Sequence, residues 1–148
     1  MIIKSYELKK INLINNKFLL IYGENEGFKK EAIDSIIKSS KIDKIIKYDE
    51  KQILENNEHF INSIYSGSLF EEKKIILVNR ASNKILKDLE KIIDNKNLDT
   101  NIIINSGPLE KKSKLRAIFE KNRDLICVPF YADTSETLSK ITFNFLKE

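Results

Sequence analysis

Cysteine and histidine are almost missing from this sequence: among 148 residues Cys127 is the one thiol and His59 the one imidazole. A lone cysteine excludes an intrachain disulfide, and one cysteine with one histidine cannot assemble a zinc-binding set. Cys127 falls in the apolar run LICVPF, which predicts a buried structural thiol. His59 lies among polar residues of a helix-like segment and is expected at the surface. Proline (two) and glycine (four) are scarce, and no linker, repeat or low-complexity tract interrupts the chain. No apolar run approaches the ~20 residues that a membrane helix needs. The opening MIIKSYELKK has neither the apolar core nor the small-residue cleavage site of a secretory signal, so the cytoplasm is the expected location.

What is present is a globular balance, 41% hydrophobic and 32% charged. At this length one domain with a sizeable core is expected. The net charge of +4 comes far more from lysine than arginine, in a chain also rich in Ile and Asn. That pattern resembles a compositional bias of the coding DNA and is weak evidence for a nucleic-acid partner.

Five short runs have the length, β-branching and flanking breakers of buried strands: 17–22, 44–48, 74–78, 101–104 and 125–130. Three of them are continuously apolar, as expected for strands covered by helices on both faces. Helical spacing of apolar residues appears over 26–39, 58–65, 83–93, 113–121 and 135–146, with Thr134 or Ser135 placed to cap the last. Strand and helix alternate. The predicted fold is therefore α/β: three layers, with a five-stranded, mostly parallel sheet between helices. The final segment stops inside an amphipathic pattern without a cap, which predicts that the chain is a piece of a longer protein.

The first strand runs into Gly23-Glu24-Asn25-Glu26-Gly27-Phe28-Lys29-Lys30 and then a helix, the setting in which a P-loop cradles phosphates. Counted from Gly23 against G-x-x-x-x-G-K-[ST], Lys29 takes the lysine position. Phe28 replaces the second glycine, and Lys30 replaces the hydroxyl that would hold Mg²⁺. Glu24 and Glu26 would repel a triphosphate. Asn79-Arg80 follows KIILV, where an ATPase needs a metal-binding acid. Two readings stay open: a relic phosphate loop that does not bind nucleotide, or an ordinary strand-to-helix turn. Asp49 and Glu50, after the second strand, could suggest a ribose-binding acid, but the three glycines of a dinucleotide turn are missing. No nucleophile–base pair is found, and no cofactor or metal is expected.

Leu69 and Phe70 lie between Ser66-Gly67-Ser68 and Glu71-Glu72-Lys73-Lys74, where a helix should end and a strand has not begun. They either close the bottom of the core or project as a partner-binding pair. The pair would contribute ~3–6 kcal/mol in a partner's pocket before ordering costs. Lys111, Lys112, Lys114 and Arg116 belong to the most basic stretch, 110–123. It could touch DNA phosphates or be a solvated face, and no aromatic residues interleave it as a stacking platform.

Three segments in this order, YGENEGFKKEAID, SGSLFEEKKIILVNRASNK and NIIINSGPLEKKSKLRAIFEK, followed by LICVPFYADTSETLSKI, make the chain resemble the delta subunit of the bacterial DNA polymerase III clamp loader. The resemblance covers essentially the whole chain. It implies an AAA+-like N-terminal domain over 1–148, with a degenerate nucleotide site and no intrinsic catalysis. It also implies a lid and a collar domain that this sequence does not contain. In such proteins the domain docks on the ring-shaped sliding clamp and favours its open form. Other loader subunits (delta prime, tau/gamma) are engaged mainly through the collar, and DNA is met indirectly. The resemblance assigns clamp binding to Leu69 and Phe70, flanked by Gly67 and Ser68; Gly67 stands where some members carry a further bulky apolar residue. Asn105 and Ser106 stand where AAA+ ATPases place a polar sensor, which the resemblance makes a matter of ancestry. A diverged P-loop ATPase and a basic DNA-binding domain are the alternative functions.

Overall fold

The computed structural model describes residues 1–67, 73–95, 98–132 and 135–146. After a 3-10 turn (Ser5–Lys10), strand and helix alternate: β1 (Phe18–Gly23), α1 (Glu26–Ser40), β2 (Lys44–Asp49), α2 (Glu50–Glu55), α3 (Asn57–Tyr65), β3 (Lys74–Ala81), α4 (Leu86–Ile93, entered through a 3-10 turn at Asn83–Ile85), β4 (Thr100–Ser106), α5 (Lys114–Lys121), β5 (Leu125–Phe130) and α6 (Ser135–Phe145). The strands form one sheet in the order β2-β3-β4-β1-β5, and every pairing is parallel. Parallel neighbours need a crossover, which the intervening helices supply.

Side chains alternate across each strand, so a continuously apolar run serves two cores at once. Leu20, Ile76, Ile102 and Cys127 face a core closed by Ile53 of α2, Phe60 and Ile64 of α3, Leu89 of α4, and Leu115 and Phe119 of α5. Leu19, Ile75, Ile103 and Ile126 face the other, closed by Ala32, Ile33 and Ile36 of α1 together with Ile3, Ile11 and Leu13 before β1. This is the predicted three-layer α/β fold, and the sheet is wholly parallel. The N-terminal segment adds an unforeseen rung: Ile3 N–H donates to Cys127 O at 2.9 Å, and Cys127 N–H donates to Met1 O at 2.9 Å. Cys127 itself is buried, and burial pushes its thiol up to about 11.

Caps explain several helix boundaries. The Asn25 side chain accepts from Phe28 N–H at the start of α1, Asn56 from His59 N–H at α3, and Ser113 from Arg116 N–H at α5. Among the described residues no helix is long and apolar enough to cross a membrane.

Candidate functional site

In a parallel sheet all strands end on one edge, and at a crossover such as β1, between β4 and β5, that edge is where ligands bind in open α/β folds. The Gly23–Lys30 loop occupies this corner. Gly23 has φ +132°, and a Cβ built on it would lie 1.8 Å from Phe130 O, so only glycine lets β1 pass the end of β5 here. The backbone donors a phosphate would need are largely consumed. Gly23 N–H reaches Gly107 O at 3.2 Å, Glu24 N–H reaches Phe130 O at 3.0 Å, and Phe28 N–H reaches Asn25 Oδ1 at 3.2 Å. Helix α1 begins at Glu26, inside the stretch a phosphate loop would keep open. Phe28 packs against the apolar core under α1, whereas Gly27 and Lys30 are exposed.

Lys29, at the lysine position of the motif, is 1% exposed. Its ammonium donates to Glu26 Oε1 at 2.6 Å and to Ser106 O at 2.7 Å. The cation that would meet phosphate is thus matched to a carboxylate and a carbonyl of its own chain. Beside it, Ser106 Oγ donates to Ala81 O at 2.7 Å, and Asn105 Nδ2 donates to Asn79 Oδ1 at 3.1 Å. Asp49 and Glu50, weighed as ribose ligands, serve the backbone instead. Asp49 caps α2 and pairs with Arg80, while Glu50 accepts from Ser82 N–H and Oγ–H, both at 2.8 Å. Among the described residues no His/Cys/Asp/Glu group could hold a metal ion.

The opposite edge, where the strands begin, carries the segment between α3 and β3. Ser68, Leu69 and Phe70 lie outside the described residues, as do Glu71 and Glu72. Gly67, on the near flank, is exposed with open space around it. Both flanks are tied down. Lys74 Nζ donates to Ser66 O at 2.7 Å, and Thr100 Oγ1 donates to Ile64 O at 2.9 Å, so the last carbonyls of α3 are held against the starts of β3 and β4. Burial, and then the neighbouring charge of Lys44, lower the Lys74 pKa.

In the basic stretch Lys111, Lys112 and Lys114 are exposed, and Lys112 pairs with Glu110 at 2.9 Å. Arg116 is committed to the body of the domain: Nε to Glu120 at 2.6 Å, Nη1 to Leu109 O at 3.1 Å, and its guanidinium 5.3 Å from the Tyr22 ring centre. The hydrogen bond to Glu120 raises its pKa. The Glu26–Lys29 pair was within reach of sequence reasoning, because residues three apart meet on a helix face. The Lys74 and Thr100 ties cross 8 and 36 residues between different elements and carry no periodic signal.

A family model described as DNA polymerase III, delta subunit, matches residues 19–128, from within β1 into β5. No curated protein matches the chain. Among solved structures, the Bacillus subtilis DNA clamp loader delta protein (YqeN) superposes with a TM-score of 0.69 at 16% identity, over 97% of this chain and 46% of that one. The chain therefore spans less than half the length of that relative, whose likeness at this identity is one of fold. The family match takes in β2, β3 and β4 whole, most of β1 and β5, and the whole of the closed loop at the corner, and on it the chain belongs to the DNA polymerase III delta-subunit family.

Proposed function

We propose that this chain is the non-catalytic, AAA+-like N-terminal domain of a clamp-loader delta subunit, acting in the cytoplasm on the sliding clamp of the replicative polymerase. Family membership supports the assignment to a clamp loader. The observation that carries the non-catalytic part is the satisfaction of Lys29 by Glu26 and Ser106 in a loop whose amides are largely used. A nucleotide would have to break the ion pair and compete with backbone hydrogen bonds before it met the Lys29 ammonium.

Leu69 and Phe70 are the side chains proposed to enter an apolar pocket of the clamp, with Gly67 and Ser68 giving them room. The ties from Lys74 and Thr100 support this reading by fixing the ends of the segment, which lowers the entropy lost when it docks. Opening the ring requires only that the domain bind the open clamp better than the closed one; the shift equals that difference in affinity. ATP chemistry would belong to other loader subunits, joined through lid and collar domains beyond this chain.

The test is direct. Replacing both Leu69 and Phe70 by alanine should weaken clamp binding by at least ~2 kcal/mol, about 30-fold, with thermal unfolding unchanged. Equal binding by parent and variant would move the contact elsewhere. Calorimetry with Mg·ATP should show no heat of binding; saturable heat lost in Lys29→Ala would restore the nucleotide-binding alternative.

A further inference from the structure

We infer that a lysine-lined cleft that has Lys73 in its wall is a second, electrostatic dock for a carboxylate-bearing segment of the same protein partner; this rests on the clamp-binding reading above. The cleft, 860 Å³ in volume, lies between the loop leading into β1, the end of α1 and the starts of β2 and β3. Lys9, Lys17, Lys41, Lys44 and Lys73 line it, against Asp43 as the one lining carboxylate among the described residues. None of the five is in an ion pair among the described residues. Five like charges around one concavity focus a positive potential there. The C-terminal end of α1 opposes it with only partial negative charge. The hydroxyls of Ser39 and Ser40 are turned back onto Ile36 O and Ile37 O, so the lysines are what the cleft offers an anion.

Two features point to a protein occupant. First, apolar side chains sit between the lysines: Leu8 and Ile42 are half-buried and Ile14 is 64% exposed. A chain mixing acidic and apolar residues matches that lining, whereas a phosphodiester backbone has nothing to place there. Second, among the described residues no aromatic ring lines the cleft for bases to stack on, and no arginine for bidentate phosphate contacts. Continuity identifies which protein. Lys73 is a wall of the cleft and stands three residues after Phe70 in the chain, so a partner that seats Phe70 comes within about 11 Å of Lys73. Lys41 holds a left-handed conformation (φ 56°) at the end of α1, a position that favours glycine. The chain keeps a cation there against its own backbone preference.

The experiment compares the chain with Lys41→Gln/Lys44→Gln/Lys73→Gln in stopped-flow binding to the clamp ring across a salt series. The expected result is an association rate about tenfold lower at low salt and a flatter salt dependence, with dissociation changed by less than about twofold. Unchanged association and salt slope, with the parent binding normally, overturn the inference. So does a variant whose loss appears on a short DNA duplex and not on the clamp. If the parent itself does not bind the ring, the Leu69–Phe70 reading fails separately. The cleft is then judged by a fluorescent peptide alternating Glu and Leu: selective weakening in the triple variant sustains it, and no binding by the parent refutes it.

Discussion

Two lysines are buried among the described residues, at opposite edges of one sheet, and they are treated differently. Lys29, where the strands end, meets a carboxylate and a carbonyl. Lys74, where they begin, meets a carbonyl and a serine hydroxyl oxygen (2.7 and 3.4 Å), with the like charge of Lys44 nearby. The first arrangement closes a corner where open α/β sheets bind ligands. The second clamps the end of a helix and, among the described residues, brings no carboxylate to the cation. One sheet thus has an inward-looking edge and an outward-looking edge. The difference lies in where the carboxylates are: Glu26, Asp49 and Glu50 serve cations and backbone donors on the first edge, whereas among the described residues the cleft on the second has Asp43 alone.

The largest effect should come from reopening the closed corner. Gly23→Ala puts a methyl group 1.8 Å from Phe130 O at a φ of +132°. β1 and β5 must separate locally, and the loss is on the order of 3–5 kcal/mol. Denaturant unfolding checks it; a loss under ~1 kcal/mol would mean that the corner yields easily and is not closed. Gly27→Ala is the matched control. Its added carbon meets nothing nearer than Asn25 Oδ1 at 3.9 Å, and a small gain is expected because alanine favours the helix.

The two lysines sharpen the contrast next. Lys29→Met keeps the stem's packing but leaves Ser106 O, in a buried residue, without its ammonium donor, for a loss of about 2 kcal/mol. Glu26 is exposed and is rehydrated, so it adds little. Lys74→Met should lose less, because the Ser66 carbonyl it serves belongs to an exposed residue that water can reach. Its signature is in pH. A lysine lowered from 10.5 in the folded state contributes stability that is present above 10.5 and is lost as pH falls through the lowered value. The parent should therefore gain on Lys74→Met as pH rises toward 10.5. Tyr22 and Cys127, which titrate in the alkaline range, are common to both proteins and cancel. Parallel stability curves for the two would contradict the burial cause.

The sheet was legible in the sequence because the continuous apolar runs had to face two cores, and the segments between them repeat at helical spacing. Helix α2 was not, since its six residues offer only Ile53 and Leu54 as apolar positions, too few to show a period. The N-terminal rung on β5 was invisible for another reason. Ile2 and Ile3 pair through backbone groups that every residue possesses, so the sequence carries no mark of it. At the corner, the departures Phe28 and Lys30 showed that the motif was broken, and spacing placed Glu26 one turn from Lys29. Only geometry could show that Ser106 O completes the shell. Leu69 and Phe70 rest on sequence and family alone, outside the described residues.

The smallest effect is the one that separates stability from use at the outward edge. Lys41 ends α1 in the left-handed region, where a Cβ crowds the backbone and glycine does not. Lys41→Gly should raise stability by about 0.5–1 kcal/mol, read as a higher denaturant midpoint at an unchanged slope. Lys38→Gly, within the helix, should lower stability by a similar amount, since it loses backbone entropy without relieving strain. A gain at 41 with a loss at 38 would show that the end of α1 is held below its attainable stability by the side chain at that position, as expected if the lysine is kept for its charge. A loss at both would mean that contacts of the Lys41 stem outweigh the strain, and the residue would then be explained by the fold without reference to a partner.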